Sequence, residues 1–181
     1  MNDVLALQRL VKETLPLEYP NWWFEEFCLN LNHNHSAIGC FLEDSLVGFI
    51  DVDLDYYNSE LKFRNTSFEY QLEVESERQL ASVECIGVYR LYQGHGIASK
   101  LIRLALEDCK THRLKPNLVY LYTHKDNFAA HGLYKKMGFT KVHKIDGYYE
   151  DGDAFAFVKN LARNQTDKEL FDNLSKIAEA K

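Results

Sequence analysis

Apolar positions recur at helical spacing at the start of the chain and at alternating spacing soon afterwards. Val4, Leu7, Leu10 and Val11 form a stripe over residues 4–14, the mark of an amphipathic helix. Leu15-Pro16-Leu17-Glu18-Tyr19-Pro20 ends it, because each proline biases its predecessor away from the helical region. Asn21 then stands as the cap of a second helix over residues 22–31, with Trp22, Trp23, Phe24 and Phe27 read as core aromatics. Residues 37–42 and 47–54, joined by Glu43-Asp44-Ser45, read as a hairpin. On its second strand Asp51, Asp53 and Asp55 alternate with Val52 and Leu54, which predicts a solvated face opposite a buried one. A second reading of those acids is attraction of basic peptides or amines. Phe68, Tyr70, Leu72 and Val74 alternate in the same way, so residues 56–79 read as a long hairpin.

The second half opens on Ser82-Val83-Glu84-Cys85-Ile86-Gly87-Val88, an apolar run with the look of a buried strand. Gln93-Gly94-His95-Gly96-Ile97-Ala98 follows, and then Leu101, Leu104, Ala105 and Cys109 at helical spacing. A turn at Arg113-Leu114-Lys115-Pro116-Asn117 leads to residues 118–123, β-branched and aromatic, which read as a central strand. Asn127 opens the next helix, Leu133 and Met137 face the core, and Gly138 stops it. Residues 140–143 and 154–158 are the last strands. The link between them holds Gly147-Tyr148-Tyr149 as a loop and Asp151-Gly152-Asp153 as a turn. Thr166-Asp167-Lys168-Glu169 is a capping box, followed by a stripe of Leu170, Phe171, Leu174, Ile177 and Ala178. The expected layout is one domain over residues 1–161 and an amphipathic helical extension over residues 162–181.

Composition narrows the classes. The chain of 181 residues is 46% hydrophobic and 13% aromatic, that of an ordinary globular protein. A net charge of −6 argues against a general nucleic-acid footprint. No apolar run follows Met1, and no stretch approaches the ~20 apolar residues of a membrane span, so a soluble, cytoplasmic protein is expected. Cys28, Cys40, Cys85 and Cys109 show no C-x-x-C pairing and read as reduced thiols. The set Cys28, His33, His35 and Cys40 lacks the close ligand pairs of structural zinc sites, and the segment reads as a plain loop; no metal is expected.

The chemistry gathers at the glycine pair. A strand, a tight glycine turn and a helix start, in that order, build an anion site from unpaired amides and the helix dipole. The third glycine of a dinucleotide fingerprint is replaced by Ser99, and the Gly-Lys-Ser/Thr of a P-loop is absent. Gln93–Ala98 resembles Q/R-x-x-G-x-G/A, the pyrophosphate loop of the GNAT family of acetyl-CoA-dependent N-acetyltransferases. Asn127, Ala130, Leu133-Tyr134, Lys136 and Gly138-Phe139 reproduce that family's N-x-x-A-x-x-L-Y-x-K-x-G-F pattern. The resemblance covers residues 15–161. It implies an α/β (α+β) GNAT fold, a mixed, mostly antiparallel sheet with two splayed central parallel strands flanked by helices. The co-substrate acetyl-CoA would rest its pyrophosphate on Gln93, Gly94, His95, Gly96, Ile97 and Ala98. Main-chain groups near Ile86 and Val88 would hold the pantetheine arm and polarise the thioester, and Asn127 would bind the arm too.

Leu15, Pro16, Leu17, Glu18 and Tyr19 are similar to the loop between the first two helices of eukaryotic N-terminal (Nα) acetyltransferases, above all the Golgi-associated type. There it walls the slot for a peptide's first residues, and Tyr148-Tyr149 resemble the loop that closes over the peptide. The mixed-charge face of Asp172, Lys176 and Glu179 departs from the membrane-holding tail of the Golgi-type relatives. Tyr134 matches the tyrosine that gives the departing thiolate its proton. The tyrosine and histidine that hold a deprotonating water in the nearest relatives are Ser82 and Tyr122 here. Glu84 lies where many GNAT enzymes place a glutamate base, with its pKa raised by burial. Tyr122 could hold a water, and His124 stands two residues on. The acceptor is expected to be a peptide or protein N-terminus. A small amine or lysine side chain, or a catalytically weak acyl-CoA-binding role, stays open, as does a monomer or homodimer.

Overall fold

Helix α1 (Asn2–Thr14) forms where the stripe predicts it, with Leu7 and Leu10 fully buried and Val11 2% exposed. In this computed structural model residues 2–15, 18–29, 34–54, 80–116 and 118–162 are described. Pro16, Leu17, His33, Asp55, the expected hairpin over residues 56–79, and all but the first residue of the expected C-terminal extension lie outside them. The described residues fall into two units. One holds those up to Leu54 together with Val83–Thr111, and the other holds Leu80–Ser82 and those from His112 onward.

In the first unit α2 (Asn21–Leu29) packs on α1. Asn21 Oδ1 accepts from Gln8 Nε2 at 3.3 Å, joining the two helices. Trp23, Phe24 and Phe27 enter the core against Phe49, with centroid distances of 6.3 Å for Trp23–Phe49 and 5.8 Å for Phe27–Phe49. Trp22, expected in the core, is 54% exposed. At ~100° per residue it stands a quarter-turn behind Trp23, off the buried arc.

Strands β1 (His35–Leu42) and β2 (Ser45–Asp53) pair antiparallel from His35 with Asp53 to Leu42 with Ser45. His35 and Cys40 are therefore strand residues, where the sequence suggested a loop for the first. Helices α1 and α3 (Ile97–Thr111) both pack on β2, which is buried from Leu46 to Asp53. Asp51 and Asp53, expected on a wet face, are 2% and 6% exposed because neither face of the strand is wet. On α3 the buried residues are Leu101, Ile102, Ala105, Leu106 and Cys109, while Leu104 is exposed.

Strand β3 (Leu80–Val88) contributes to both units. The second unit continues with β4 (Leu118–His124), α4 (Phe128–Lys136), β5 (Thr140–Tyr149) and β6 (Gly152–Asn160). Leu80, Leu118, Tyr120, Val142, Ala156 and Val158 form its core. Among the described residues the sheet has six strands in the order β1-β2-β3-β4-β6-β5. The β3–β4 ladder is parallel and pairs Leu80–Ser82 with Leu118–Tyr120, and both strands run on beyond it. The β1–β2, β4–β6 and β5–β6 pairs are antiparallel, which gives the mixed sheet that the family resemblance implies. No helix among the described residues is long and apolar enough to cross a membrane.

Candidate active site

The glycine turn follows β3 through a single 3-10 turn, Arg90–Tyr92. Tyr89 N–H donates to the Val47 carbonyl at 3.1 Å, which anchors the exit of β3 on β2. Gly94 and Gly96 both adopt φ of 80°, the left-handed region that L side chains disfavour. The first bond of α3 runs from Lys100 N–H to the Gly96 carbonyl at 3.0 Å. The amides of Ile97, Ala98 and Ser99 precede it and have no acceptor within the helix. A Cβ built at Gly94 or Gly96 would meet nothing within 4 Å, so the turn faces open space. Donor amides, a helix dipole and open space fit a diphosphate.

Two side chains of the loop have defined tasks in the chain itself. Gln93 Nε2 donates to the Val88 carbonyl at 3.0 Å, bracing the turn against the end of β3. His95 Nδ1 donates to the Gln93 carbonyl at 2.9 Å, leaving Nε2 as its outward nitrogen. Close packing supports the turn from beneath, which the sequence did not reveal. A Cβ at Gly48 of β2 would come 3.1 Å from Ile97 Cγ2 and 3.2 Å from both Gly87 O and Val88 Cγ2. One at Gly87 would clash with Thr14 Oγ1 and would come 2.6 Å from Phe49 Cε1.

The same unit gathers a polar cluster that no linear motif announced. His35 Nδ1 and Asp51 Oδ1 lie 3.1 Å apart, so the buried carboxylate accepts from the ring. The His35 pKa is raised: burial opposes the charged ring, but the bond to Asp51 and the charges of Asp51, Asp53 and Glu84 outweigh it. Tyr19 stacks on Trp23 at 4.5 Å between centroids. Burial pushes the Tyr19 hydroxyl up, and Cys85, Glu84 and Asp51 push it further. The hydroxyl donates to the Cys85 thiol, itself raised by burial and by Asp51 and Glu84. Thus Tyr19, expected in an acceptor wall, and Glu84, expected as a base, share one electrostatic neighbourhood. Glu84, expected to be a buried carboxylate, is exposed. Glu18 is exposed and Leu15 half-buried.

In the second unit Tyr134 is 6% exposed, with its ring 5.9 Å from Phe139 and 5.7 Å from Phe157. Asn127 caps α4, its side chain accepting from Ala130 N–H at 3.1 Å. Gly138, at φ of 81°, ends that helix as the sequence predicts. Tyr148 and Tyr149 are not loop residues: they close β5, with Tyr149 opposite Gly152. They also pack. The Tyr148 ring lies 5.0 Å from Tyr122 and the Tyr149 ring 5.4 Å from His124. His124 Nδ1 accepts from Asp126 N–H at 3.2 Å, while its Nε2 is buried 3.5 Å from Asp151 Oδ1. One nitrogen of His124 is thus engaged by the main chain and the other is buried beside Asp151. Among the described residues no group of three metal-ligating side chains comes together.

A short parallel ladder, a left-handed glycine turn and an open helix start define a coenzyme-A-dependent acyltransferase fold. The chain belongs to the Acetyltransferase (GNAT) family, whose model matches residues 4–139. It is an acetyl-CoA-dependent N-acetyltransferase. It is 26% identical over 162 residues to the N-alpha-acetyltransferase of Saccharolobus solfataricus, covering 89% of each chain. It is 33% identical over 125 residues to the N-alpha-acetyltransferase RimI of Mycobacterium tuberculosis, covering 69% of this chain and 64% of that one. Arabidopsis thaliana NAA60, solved in complex with acetyl-CoA, shares the fold with a TM-score of 0.69 at 20% identity, covering 88% of this chain and 94% of that one.

Proposed function

We propose that the protein acetylates the α-amino group of protein or peptide N-termini, through a domain spanning residues 1–161. The observation that carries this reading is the shared neighbourhood of Tyr19 and Glu84, beside Cys85, Asp51 and His35. A wall residue next to a carboxylate is what a slot for an ammonium group requires, since the charge that attracts the group can also take its proton. The relatives named N-alpha-acetyltransferases support the same acceptor class. The Leu15–Tyr19 pattern adds the finer likeness to the Golgi-associated type.

Acetyl-CoA supplies an activated acyl group and a thiolate leaving group. The amides of Gly94 to Ala98 hold its diphosphate, and Asn127 holds its arm. Main-chain N–H groups near Ile86 and Val88 stabilise charge on the thioester oxygen. Glu84 removes a proton from the ammonium, directly or through a water held by Tyr122. Tyr134 gives a proton to the sulfur. By the family likeness Tyr148 and Tyr149 are assigned to the acceptor, as are Leu15, Pro16, Leu17, Glu18 and Tyr19.

Acetyl transfer to a peptide library, read by mass spectrometry on free and α-blocked peptides, tests this. Products confined to free α-amines are expected. Transfer to lysine side chains or small amines alone would replace the acceptor class, and coenzyme A binding without any turnover would replace the enzymatic reading.

A further inference from the structure

The Tyr148-Tyr149 pair sits at an irregularity in β5 that a single carboxylate holds. The β5–β6 register shifts between Ile145 and Tyr149, and Gly147 within that stretch has φ of 63°. Its N–H donates to Asp153 Oδ1 at 3.0 Å. The other oxygen, Oδ2, lies 3.0 Å from Lys144 Nζ on β5 and 3.3 Å from Lys125 Nζ just beyond β4. The Asp153 carbonyl accepts from Lys125 N–H at 2.9 Å. One residue of β6 thereby ties the bulge of β5 to the end of β4, and those are the segments whose rings meet: Tyr148 with Tyr122, and Tyr149 with His124.

We propose that Asp153 is the positioning residue of the acceptor slot, fixing the Gly147 bulge so that Tyr148 and Tyr149 are held over β4. This rests on the reading that those tyrosines line the slot. An ordinary surface ion pair does not explain the arrangement. Asp146 and Asp151 are 82% and 85% exposed at the side chain, against 19% for Asp153. Of these three, Asp153 is the one bonded to a main-chain amide of the bulge. The Gly147 amide, then Lys144 and Lys125, hold its carboxyl well below the usual carboxylate range, so it stays ionised through neutral pH. Strand alternation would send adjacent tyrosines to opposite faces of the sheet. The bulge is what allows both rings to reach side chains two apart on β4, and bulges re-aim side chains in this way.

The test is steady-state kinetics of the full chain with acetyl-CoA and a free-amine peptide. Asp153→Ala is expected to raise the peptide KM about tenfold, a loss of about 1.4 kcal/mol of uniform binding, with kcat and acetyl-CoA KM within about twofold of wild type. Asp153→Asn keeps an oxygen for Gly147 but loses both ion pairs, and should fall between. Asp146→Asn, which touches Lys144 alone in this group, should leave all three constants unchanged. If Asp153→Ala unfolds, Asp153→Asn and Gly147→Ala, which is strained at this φ, carry the same expectation. An unchanged peptide KM, or an equal rise for both substrates, overturns the positioning role. Tyr148→Ala and Tyr149→Ala separate this from the acceptor-slot reading. If they leave peptide KM untouched, that reading fails. If they raise it while the Asp153 variants do not, the positioning role fails alone.

Discussion

Alanine at Gly96 tests the step on which the chemistry depends, the grip of the turn on a diphosphate. At φ of 80° a side chain costs about 1–2 kcal/mol against glycine. No packing penalty adds to it, because the new Cβ would have no heavy atom within 4 Å. In a chain of this size 1 kcal/mol is about 2–4 °C, so the melting temperature of the free protein should fall by about 2–8 °C. Relaxation towards negative φ rotates the peptide between Gly96 and Ile97 and turns an amide off the diphosphate. A hydrogen bond to a charged group is worth about 1.5–3 kcal/mol, which makes the expected loss of coenzyme A affinity about 10- to 150-fold. Titration calorimetry reads the affinity directly. Scanning calorimetry with and without coenzyme A reads it again, since ligand stabilisation scales as RT ln(1 + [L]/Kd). Gly132→Ala is the control. Gly132 lies within α4 with nothing near its missing Cβ, so alanine there should stabilise by about 0.5–1 kcal/mol. A Gly96→Ala protein that binds coenzyme A like wild type would refute the placement of the diphosphate on this turn.

Tyr134→Phe should lower kcat about a hundredfold, as expected for loss of a general acid, while coenzyme A affinity stays near wild type; unchanged turnover removes Tyr134 from that role. Asn127→Ala should cost about 1 kcal/mol of cap stability and raise the acetyl-CoA KM, while Asn127→Asp restores the cap; recovery of the KM as well would reduce Asn127 to a cap alone. The His35–Asp51 pair predicts a pH dependence of stability. His35 is raised above its ordinary 6.5, so its contribution is full below that value and is lost as pH rises through the higher, folded-state value. The melting temperature of wild type should therefore exceed that of His35→Gln by more at about pH 6 than at about pH 9, and a gap independent of pH would contradict the pairing.

What could be read from the sequence follows the range of the interaction that fixes each feature. The glycine turn was legible because a left-handed φ, a strand end and a helix start are all settled within a few residues. The same is true of the Asn127 cap and the Gly138 stop. Trp22 departs from the core reading because periodicity sets the direction of an apolar stripe but not the width of the arc that a neighbour covers. Asp51 and Asp53 depart from expectation for a related reason: alternation implies one wet face, yet helices cover both sides of β2. A buried carboxylate must then find a partner, and Asp51 finds His35, sixteen residues away and across a strand pair. That pairing is invisible to linear spacing, and it draws Asp51, Glu84, Cys85 and Tyr19 into one electrostatic group. The tyrosines of β5 repeat the lesson: linear order reads them as a loop, but their rings meet Tyr122 and His124 of β4, two strands away in the sheet. In this chain the proposed cofactor half of the site is thus written locally, whereas the proposed acceptor half draws on cross-strand contacts. Substitutions in the first half should act on coenzyme A alone, and those in the second should move acceptor kinetics while leaving coenzyme A binding intact.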